Sequence, residues 1–226
     1  SRRQRQMCIR DSTGGADGAR DLAWFTAHLP SDGSVHLCDM TSAVSTVGVW
    51  GPRARDLVAA LTDEDVSHSG FRFATARDVD LGGLPVSMMR ISYVGELGWE
   101  IHAPTEYGLR LWDLLWEAGQ PYGVVPAGIG VYGTTGRLEK AHRLMGAELT
   151  GEYNPVEAGL ALPRVKSEEF IGKAAYLAAR EVEPAAALST LATDPSVQRF
   201  MTGNEPILTR DLSLIHISEP TRRTPI

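Results

Sequence analysis

The chain has 226 residues, of which 43% are hydrophobic and 22% charged, and it carries a net charge of −6. This length and composition allow one large domain or two small ones with a normal hydrophobic core. The charge is mixed and forms no basic stripe, which disfavours a nucleic-acid-binding protein. No apolar run reaches the roughly 20 residues of a membrane-spanning helix, and no signal-peptide pattern is present. We therefore expect no nucleic-acid or membrane partner, and a cytoplasmic setting, or the mitochondrial matrix in a eukaryote. The composition itself indicates no particular partner, and a small-molecule substrate is expected only from the motifs described below.

The cysteines and histidines indicate no metal site. Cys8 and Cys38 are the only two cysteines, too few for a disulfide framework and without metal-ligand spacing. The six histidines are scattered and form neither an HxxxH nor an HxH pair. We expect no bound zinc.

Both ends of the chain look foreign to the rest. Residues 1–12 have neither helical nor strand periodicity, and residues 212–226 place Pro and paired Arg where a domain should continue. Both resemble translated sequencing-adapter read-through, and the alternative is a flexible native tail. We expect a fragment from about Thr13 to Asp211, truncated at both ends, with foreign or disordered tails at 1–12 and 212–226.

The first part of the chain alternates helices and strands. Helical spacing of apolar residues predicts an amphipathic helix over Ala16–Leu29, stopped by Pro30. Short β-branched runs predict strands at Ser34–Met40 and Ser45–Trp50. Gly51-Pro52 opens a second helix, and its predicted buried stripe is Ala54, Leu57, Val58 and Leu61.

A hairpin and a third helix follow. Phe71–Leu81 and Val86–Val94 flank Gly82-Gly83-Leu84-Pro85, which predicts a β-hairpin. Ile91–His102 is predicted as a strand, a glycine turn and a second strand. A helix capped at Pro104-Thr105-Glu106 ends at Gly119. It carries Trp112 and Trp116, for which a place in the core is favoured over a stacking platform for a ligand.

The sequence of the last part of the chain predicts one more helix and the start of another domain. Thr134–Met145 has helical spacing, with Leu138, Ala141, Leu144 and Met145 inward. The loop before it, 128–133, lacks the G-x-G-x-x-G spacing of a dinucleotide site, so we exclude a Rossmann site. A linker is predicted near Pro184, with strands at Leu188–Leu191 and Glu205–Leu208.

Hairpins interleaved with single helices predict an α+β fold with mainly antiparallel sheets and packed helices. The predicted division is a main domain over 13–183 and the start of a C-terminal β domain over 184–211.

Glu100 is the principal candidate for a binding residue. Strand alternation sends Trp99 and Ile101 to one side, toward the core, and Glu100 and His102 to the other. A carboxylate matches a planar ligand that offers two adjacent N–H donors, such as an aminopyrimidine ring. Tyr93 lies across the glycine turn, and its ring could flank such a ligand. The residues alone favour the simpler alternative, a Glu on a solvated strand face.

Two charged clusters are open to two interpretations. Arg53 and Arg55 at a helix start could bind an anion, and a solvated face is favoured. The cluster at 137–140, Arg-Leu-Glu-Lys, is interpreted as a solvated face with a structural ion pair.

Several motifs together resemble the glycine cleavage T-protein (aminomethyltransferase) family, by their order and spacing. They are Val47–Arg53, Ser92–Glu100 (SYVGELGWE), Gly136–Lys140 (GRLEK), Pro155–Leu160 (PVEAGL) and Phe170–Lys173 (FIGK). The resemblance covers most of Thr13 to Asp211, and the wording of the second and third motifs is most similar to the folate-binding C-terminal regions of dimethylglycine and sarcosine dehydrogenases.

The resemblance implies a T-protein-like folate-binding fold over 13–183, with tetrahydrofolate in a central cavity. It implies that Glu100 pairs with the ring N–H and amino group of the pterin and that Tyr93 packs beside it. It also implies one-carbon transfer to give 5,10-methylenetetrahydrofolate, and FAD in a missing N-terminal domain if the protein is dehydrogenase-like. The family's aspartate that assists catalysis belongs to an earlier segment, so no catalytic residue is assigned.

This chain departs from the T-protein pattern at one place. An Arg-Asp pair precedes the Leu-Arg-Leu-Glu motif in that pattern, and its Arg contacts folate, whereas this chain has neither residue over 132–137. The departure favours the dehydrogenase-like branch. The alternatives are a stand-alone aminomethyltransferase, a tetrahydrofolate-dependent demethylase, and a non-catalytic folate-binding or structural module. The oligomeric state is not predicted.

Overall fold

The computed structural model describes residues 11–161, 164–192, 196, 206–208 and 214–217. It divides into two compact units, 1–44 and 45–226. The first unit contains helix α1, Gly18–Ala27, and a 3₁₀ turn at Thr41–Ala43. The helix confirms the prediction for Ala16–Leu29, although none of its residues is buried.

The remaining elements alternate strands with short helices. In chain order they are β1 Val44–Trp50, α2 Ala54–Ala59, β2 Ala76–Leu81, β3 Leu84–Met89, β4 Gly98–Pro104, α3 Gly108–Gly119, α4 Arg137–Glu139, α5 Lys173–Arg180, β5 Pro206–Leu208 and β6 Leu214–Ile217. A π-helical segment, Val131–Gly136, leads directly into α4.

Four strands form one sheet in the order β1-β4-β3-β2. Strands β2 and β3 pair antiparallel, with Leu81 opposite Leu84. The turn between them is Gly82-Gly83, with φ angles of +58° and +82° that suit glycine and the two-residue hairpin turns. The predicted hairpin is therefore confirmed, with a turn two residues shorter than predicted. This antiparallel sheet with packed helices confirms the α+β fold class.

The core lies between one face of the sheet and helices α2 and α3. Strand β4 contributes Trp99, Ile101 and Ala103, all at most 1% exposed. The other buried residues of this core are Ala54, Leu57, Val58, Val66, Phe71, Val79, Leu81, Leu84, Val86, Met88, Leu111 and Leu115. Alternation therefore correctly placed Trp99 and Ile101 in the core, and the buried stripe of α2 is confirmed at Ala54, Leu57 and Val58.

Two predicted strands are wrong. Ser34–Met40 has no regular secondary structure; local side-chain bonds shape its ends, where Asp32 accepts from the backbone of Ser34 and Asp39 from that of Thr41, both at 2.9 Å. Leu188–Leu191 is likewise irregular, and the Leu188 N–H bonds to the carbonyl of Glu157 rather than to a strand.

The strand predicted to run to Val94 ends earlier. Strand β3 stops at Met89, because the Arg90 carbonyl accepts from the N–H of Ala74, one residue beyond its in-register partner Thr75, and the Ile91 N–H turns to the carbonyl of Met89. Residues 91–97, including Tyr93, form an irregular connection to β4. The stretch Ile91–His102 is therefore a loop followed by one strand.

The helix predicted over Thr134–Met145 is also much shorter. It ends at Glu139, and Ala141 adopts a left-handed backbone with φ of +55°. The side chain of Arg137 bonds to carbonyls on both sides of this bend, at Gly133 and His142, and so folds the chain back. Met145 is consequently 47% exposed rather than inward.

The two tryptophans of α3 are not core residues. Trp112 is 46% exposed and Trp116 is 37% exposed. Their rings stack on each other, with centroids 6.3 Å apart and an interplanar angle of 5°. The inward positions of the helix are filled instead by Leu111 and Leu115, so the prediction of a core role is wrong.

The predicted C-terminal features are tested only where the structure describes the chain. Pro206–Leu208 is a strand, as predicted within Glu205–Leu208, and it pairs antiparallel with Leu214–Ile217. The second of these strands lies within the segment predicted as a foreign tail. The domain boundaries stay a prediction. Among the described residues there is no helix long and apolar enough to cross a membrane, and no group of three His, Cys, Asp or Glu side chains arranged to hold a metal.

Candidate functional site

Glu100 lies on the face of the sheet that is turned away from the core. Its neighbours in β4, Trp99 and Ile101, are fully buried on the opposite face. The Glu100 side chain is itself only 17% exposed, and burial raises the pKa of its carboxyl group. The basic side chain in contact with it is His102, with Nε2 3.9 Å from Oε2, and this pair is ionic only when the imidazole is protonated. The expectation of a fully solvated strand face is therefore wrong.

Strand β1 places a glycine and a tryptophan ring beside this carboxylate. The Gly51 N–H donates to Leu97 O at 2.9 Å at one end of the strand. Thr46 Oγ1 lies 2.9 Å from His102 Nδ1 at the other end. The two contacts make β1 and β4 antiparallel and set Gly48 opposite Glu100. Because Gly48 has no side chain, the space next to the carboxylate is left to the ring of Trp50, and a Cβ at Gly48 would lie 2.0 Å from that ring.

Aromatic rings form a row on this side of the sheet. Tyr132 is the central one, with its ring centroid 5.7 Å from that of Trp50 and 5.0 Å from that of Tyr93. Tyr93 stacks in turn on His142, at 5.8 Å and an interplanar angle of 19°. Burial raises the pKa of the Tyr132 phenol, and the negative charge of Glu100 raises it further. Tyr132 thus links the two residues predicted from the sequence, Tyr93 and Glu100.

A hydrogen bond fixes Tyr93 at the end of the aromatic row opposite Trp50. Its hydroxyl donates to the carbonyl of Arg143 at 2.9 Å, and burial raises the pKa of this phenol. The acceptor belongs to the segment that follows α4, where the chain folds back. Tyr93 therefore holds its position only if that segment is itself well anchored.

A buried ion pair supplies this anchor. Arg137 is 1% exposed and contacts Glu148 at 2.9 Å. The same Nη1 atom donates to the carbonyl of His142, and Glu148 accepts from the N–H of Leu144 at 2.9 Å. The pair therefore fixes the residues immediately before and after the carbonyl that Tyr93 uses. The structural ion pair predicted for this cluster is present, but the solvated face is wrong for Arg137.

A cavity of about 730 Å³ opens beside the aromatic row. It is lined by residues of β1, of the exposed face of α3, of the loop after α3 and of the π-helical segment, among them Gly48, Trp50, Trp112, Trp116, Ile129 and Tyr132. Neither Glu100 nor Tyr93 lines it. Tyr132 and Trp50 are shared between the cavity and the aromatic row, so they form the boundary between the open space and the carboxylate.

The sequence missed the residues at this boundary. Gly48 and Trp50 alternate with Val47 and Val49, which pack against the core, so strand periodicity could have placed them beside Glu100. Tyr132 gives no such signal, because a π-helical turn has no periodicity that a sequence pattern reveals. Arg53, considered above for an anion site, is exposed, contacts Asp56 at 3.5 Å and lies over the ring of Tyr122.

The arrangement defines a class of site: a half-buried acceptor carboxylate beside an aromatic-lined cavity in an α+β domain. Comparison with known proteins gives the family. The profile of the GCVT N-terminal domain matches residues 8–165, more than half of the chain. The chain belongs to this family, that of the glycine cleavage T-protein, as the motifs of the sequence indicate.

The similar proteins are dehydrogenases, oxidases and aminomethyltransferases. Human mitochondrial dimethylglycine dehydrogenase is 36% identical over 188 residues, 80% of this chain and 22% of that protein. Sarcosine oxidase subunit alpha from Corynebacterium sp. (strain P-1) is 36% identical, over 76% of this chain and 18% of the subunit. Aminomethyltransferase from Bacillus subtilis (strain 168) is 34% identical, over 68% of this chain and 42% of that enzyme. The chain thus spans about a fifth of the first two proteins and less than half of the third.

Similar solved structures overlap part of the fold. Heterotetrameric sarcosine oxidase from Corynebacterium sp. U-96 matches with a TM-score of 0.38 and 17% identity, covering 43% of this chain and 49% of that one. An overlap of this extent carries no argument, and the fold class rests on the sheet and helices described above.

Proposed function

We propose that the chain is a tetrahydrofolate-binding one-carbon transfer module of an enzyme, part of a flavin-dependent protein similar to dimethylglycine or sarcosine dehydrogenase. In that role it forms 5,10-methylenetetrahydrofolate from a one-carbon unit derived from a methylated glycine. FAD would belong to a domain outside this chain. The observation that carries the proposal is the Glu100 carboxylate, half-buried beside an aromatic row and a cavity, with no ion pair to Lys or Arg among the described residues.

The residues present fit the pterin ring of tetrahydrofolate. The ring offers an amino group and an adjacent N–H, and Glu100 offers two acceptor oxygens, which gives charge-assisted bonds of roughly 1.5–3 kcal/mol each. Trp50 adds a complementary donor, because its buried Nε1 has no acceptor among the described residues and the pterin carries a carbonyl oxygen. Burial alone disfavours the charged form of Glu100, whereas two N–H donors favour it. A ligand of this type therefore stabilises the ionised carboxylate, which burial in the protein alone destabilises.

Tetrahydrofolate, when bound, supplies the nitrogen that accepts the one-carbon unit. The chain's own residues bind and orient it: Glu100 holds one edge of the ring system, and Tyr93, fixed through Arg143 and the Arg137–Glu148 pair, packs beside it. No residue of the chain is assigned a catalytic role. The setting proposed is the cytoplasm, or the mitochondrial matrix in a eukaryote.

The second candidate is a stand-alone aminomethyltransferase or tetrahydrofolate-dependent demethylase, and the third is a module without catalysis. One structural observation bears on them. The cationic residue nearest to the missing Arg-Asp pair is Arg137, which is 1% exposed and committed to Glu148, Gly133 and His142. It therefore does not replace the arginine of the T-protein pattern, which favours the dehydrogenase-like reading or the non-catalytic one.

Calorimetric titration tests the binding site directly. Tetrahydrofolate is titrated under anaerobic conditions into the wild-type chain, into Glu100→Gln, and into Glu117→Gln, which changes an exposed carboxylate of α3. Glu100→Gln should weaken binding by about 1–3 kcal/mol, because one acceptor oxygen is replaced by a donor that faces the ligand's N–H groups. Glu117→Gln should leave the affinity unchanged. Equal affinities in Glu100→Gln and the wild type contradict the assignment of Glu100.

The pH dependence of the affinity gives a second check. Because the raised pKa of Glu100 lies above that of an ordinary carboxyl group, tetrahydrofolate should bind most tightly above this pKa and progressively less tightly as the pH falls through it. The Glu100→Gln protein should lack this dependence.

A sequence of the full-length gene separates the enzyme candidates, since a G-x-G-x-x-G motif after a strand near its start supports the flavoprotein.

A further inference from the structure

Tyr132 occupies a position that neither the motifs nor the family assignment explains. It lines the cavity, and it lies in the middle of the aromatic row, within 5.7 Å of Trp50 and 5.0 Å of Tyr93. No other residue of the described chain both lines the cavity and has a ring contact with Tyr93. Together with Trp50, this ring therefore lies at the boundary between the cavity and Glu100.

The backbone around Tyr132 is unusual. Val131–Gly136 is a π-helical segment of six residues that contains Gly133 and Gly136 and is preceded by Gly130. π-Helical turns are rare, and they occur frequently at functional sites because they displace one side chain from the regular helical path. Tyr132 is the second residue of this segment, and its ring lies between those of Trp50 and Tyr93.

The chemistry of the ring suits the ligand class proposed above. The rings of Tyr132 and Trp50 are tilted by 37° to each other, and those of Tyr132 and Tyr93 by 45°. These rings offer stacking surface, while Glu100 offers in-plane hydrogen bonds to the edge of the same ligand. The negative charge of Glu100 acts on the Tyr132 phenol, so the two groups lie within electrostatic reach of each other. Stacking and edge recognition are thus available at one place.

We propose that Tyr132 is a specificity-determining residue that stacks on the planar pterin-type ring held by Glu100 and selects it over ligands without such a ring. This inference rests on the proposed function, because it takes Glu100 as the group that holds the ring. It adds a contact on a residue that stands where this chain departs from the T-protein pattern.

Four proteins test the inference: the wild-type chain, Tyr132→Phe, Tyr132→Leu and Tyr153→Ala. Tyr132→Phe keeps the ring, Tyr132→Leu keeps an apolar side chain without a ring, and Tyr153→Ala removes an exposed tyrosine that does not line the cavity. The probes are tetrahydrofolate and p-aminobenzoylglutamate, which has the tail of the folate but not its pterin. Urea unfolding of each protein is measured in parallel.

The stacking contact predicts one pattern of results. Tyr132→Leu should bind tetrahydrofolate about tenfold more weakly than Tyr132→Phe, the order of loss found when a ring that stacks on a base is removed. The affinity for p-aminobenzoylglutamate should be the same in both variants, and so should the urea midpoint. Tyr153→Ala should match the wild type.

The outcomes separate this inference from the proposed function. If the wild-type chain does not bind tetrahydrofolate, the proposed function is wrong and the inference falls with it. A second outcome is that the wild type binds tetrahydrofolate, that Glu100→Gln weakens binding, and that Tyr132→Leu and Tyr132→Phe bind with the same affinity. In that case the proposed function stands and the role of Tyr132 is refuted. An equal loss for both probes in Tyr132→Leu also refutes it, because that result shows a general change of the cavity.

Discussion

Removal of Glu148 should reveal how strongly the segment that holds Tyr93, residues 142–144, depends on one ion pair. Glu148→Ala leaves the guanidinium of Arg137, which is 1% exposed, without its only carboxylate partner at 2.9 Å. The two carbonyls that Arg137 also contacts, at Gly133 and His142, remain but carry no full charge. The N–H of Leu144 loses its acceptor at the same time.

The expected loss of stability is large for a single substitution. Breaking a buried ion pair by removing one partner costs about 3–5 kcal/mol, since the remaining charge stays desolvated and uncompensated. Against a total stability of about 5–15 kcal/mol, such a loss leaves a marginal fold. Replacing both partners by apolar residues, Arg137→Met with Glu148→Leu, should recover much of this loss, because no charge is then left buried.

Urea unfolding measures the effect, and the chain contains a matched control. Lys173 and Glu169 form an ion pair at 3.0 Å, nearly the same distance, but the Glu169 side chain is 88% exposed. Exposed pairs contribute about 0–1 kcal/mol, so Glu169→Ala should leave the midpoint nearly unchanged. With a slope of about 2 kcal/mol per molar urea, Glu148→Ala should lower the midpoint by about 1.5–2.5 M. Equal shifts in the two variants would refute the dependence on burial.

Three further substitutions test separate parts of the structure. Glu100→Gln should raise the urea midpoint at pH 7. Burial raises the pKa of Glu100 in the folded chain. The stability that the protonated carboxyl group contributes is therefore fully present below the pKa of the unfolded chain and is lost as the pH rises through the folded value. The wild type should accordingly lose stability relative to the variant as the pH rises from the ordinary pKa of a glutamate toward the raised one, and parallel titrations that do not diverge would contradict this. Tyr93→Phe should cost about 0.5–1.5 kcal/mol in urea unfolding through loss of the bond to the Arg143 carbonyl, and an unchanged midpoint would show that the bond contributes nothing. Trp99→Ala should cost about 3–5 kcal/mol, because the ring is fully buried and in edge contact with a second ring, and a loss below about 1 kcal/mol would place Trp99 outside the core.

Regular elements that bury one face were predictable from the sequence. The β2–β3 hairpin has adjacent glycines at its turn, and α2 and α3 have apolar residues at helical spacing, so local pattern and tertiary packing agree there. The failures occur where a side chain decides the path of the backbone. Arg137 ends the helix that the spacing predicted beyond it, because its guanidinium binds carbonyls of the bend. A periodicity of apolar residues contains no information about such bonds.

The exposed tryptophans of α3 show a different limit. Trp112 and Trp116 extend the apolar stripe of the helix, and hydrophobicity alone assigns them to the core. Leu111 and Leu115 fill the inner positions, and the tryptophans line the cavity instead. Large apolar residues at the margin of a helix are therefore as consistent with a ligand cavity as with a core.

Glu100 shows most clearly what a fold adds to a pattern. Alternation in β4 assigns its face but leaves open whether that face meets water or protein. The answer lies on another strand, because Gly48 stands opposite Glu100 and the ring of Trp50 covers the glycine. Trp50 of β1, separated from Glu100 by 50 positions, thus lies beside the carboxylate, whose pKa is raised by burial. A bulky residue at position 48 would displace the Trp50 ring from this place. The absence of a side chain at Gly48 is therefore as much a part of the candidate site as the carboxylate it faces.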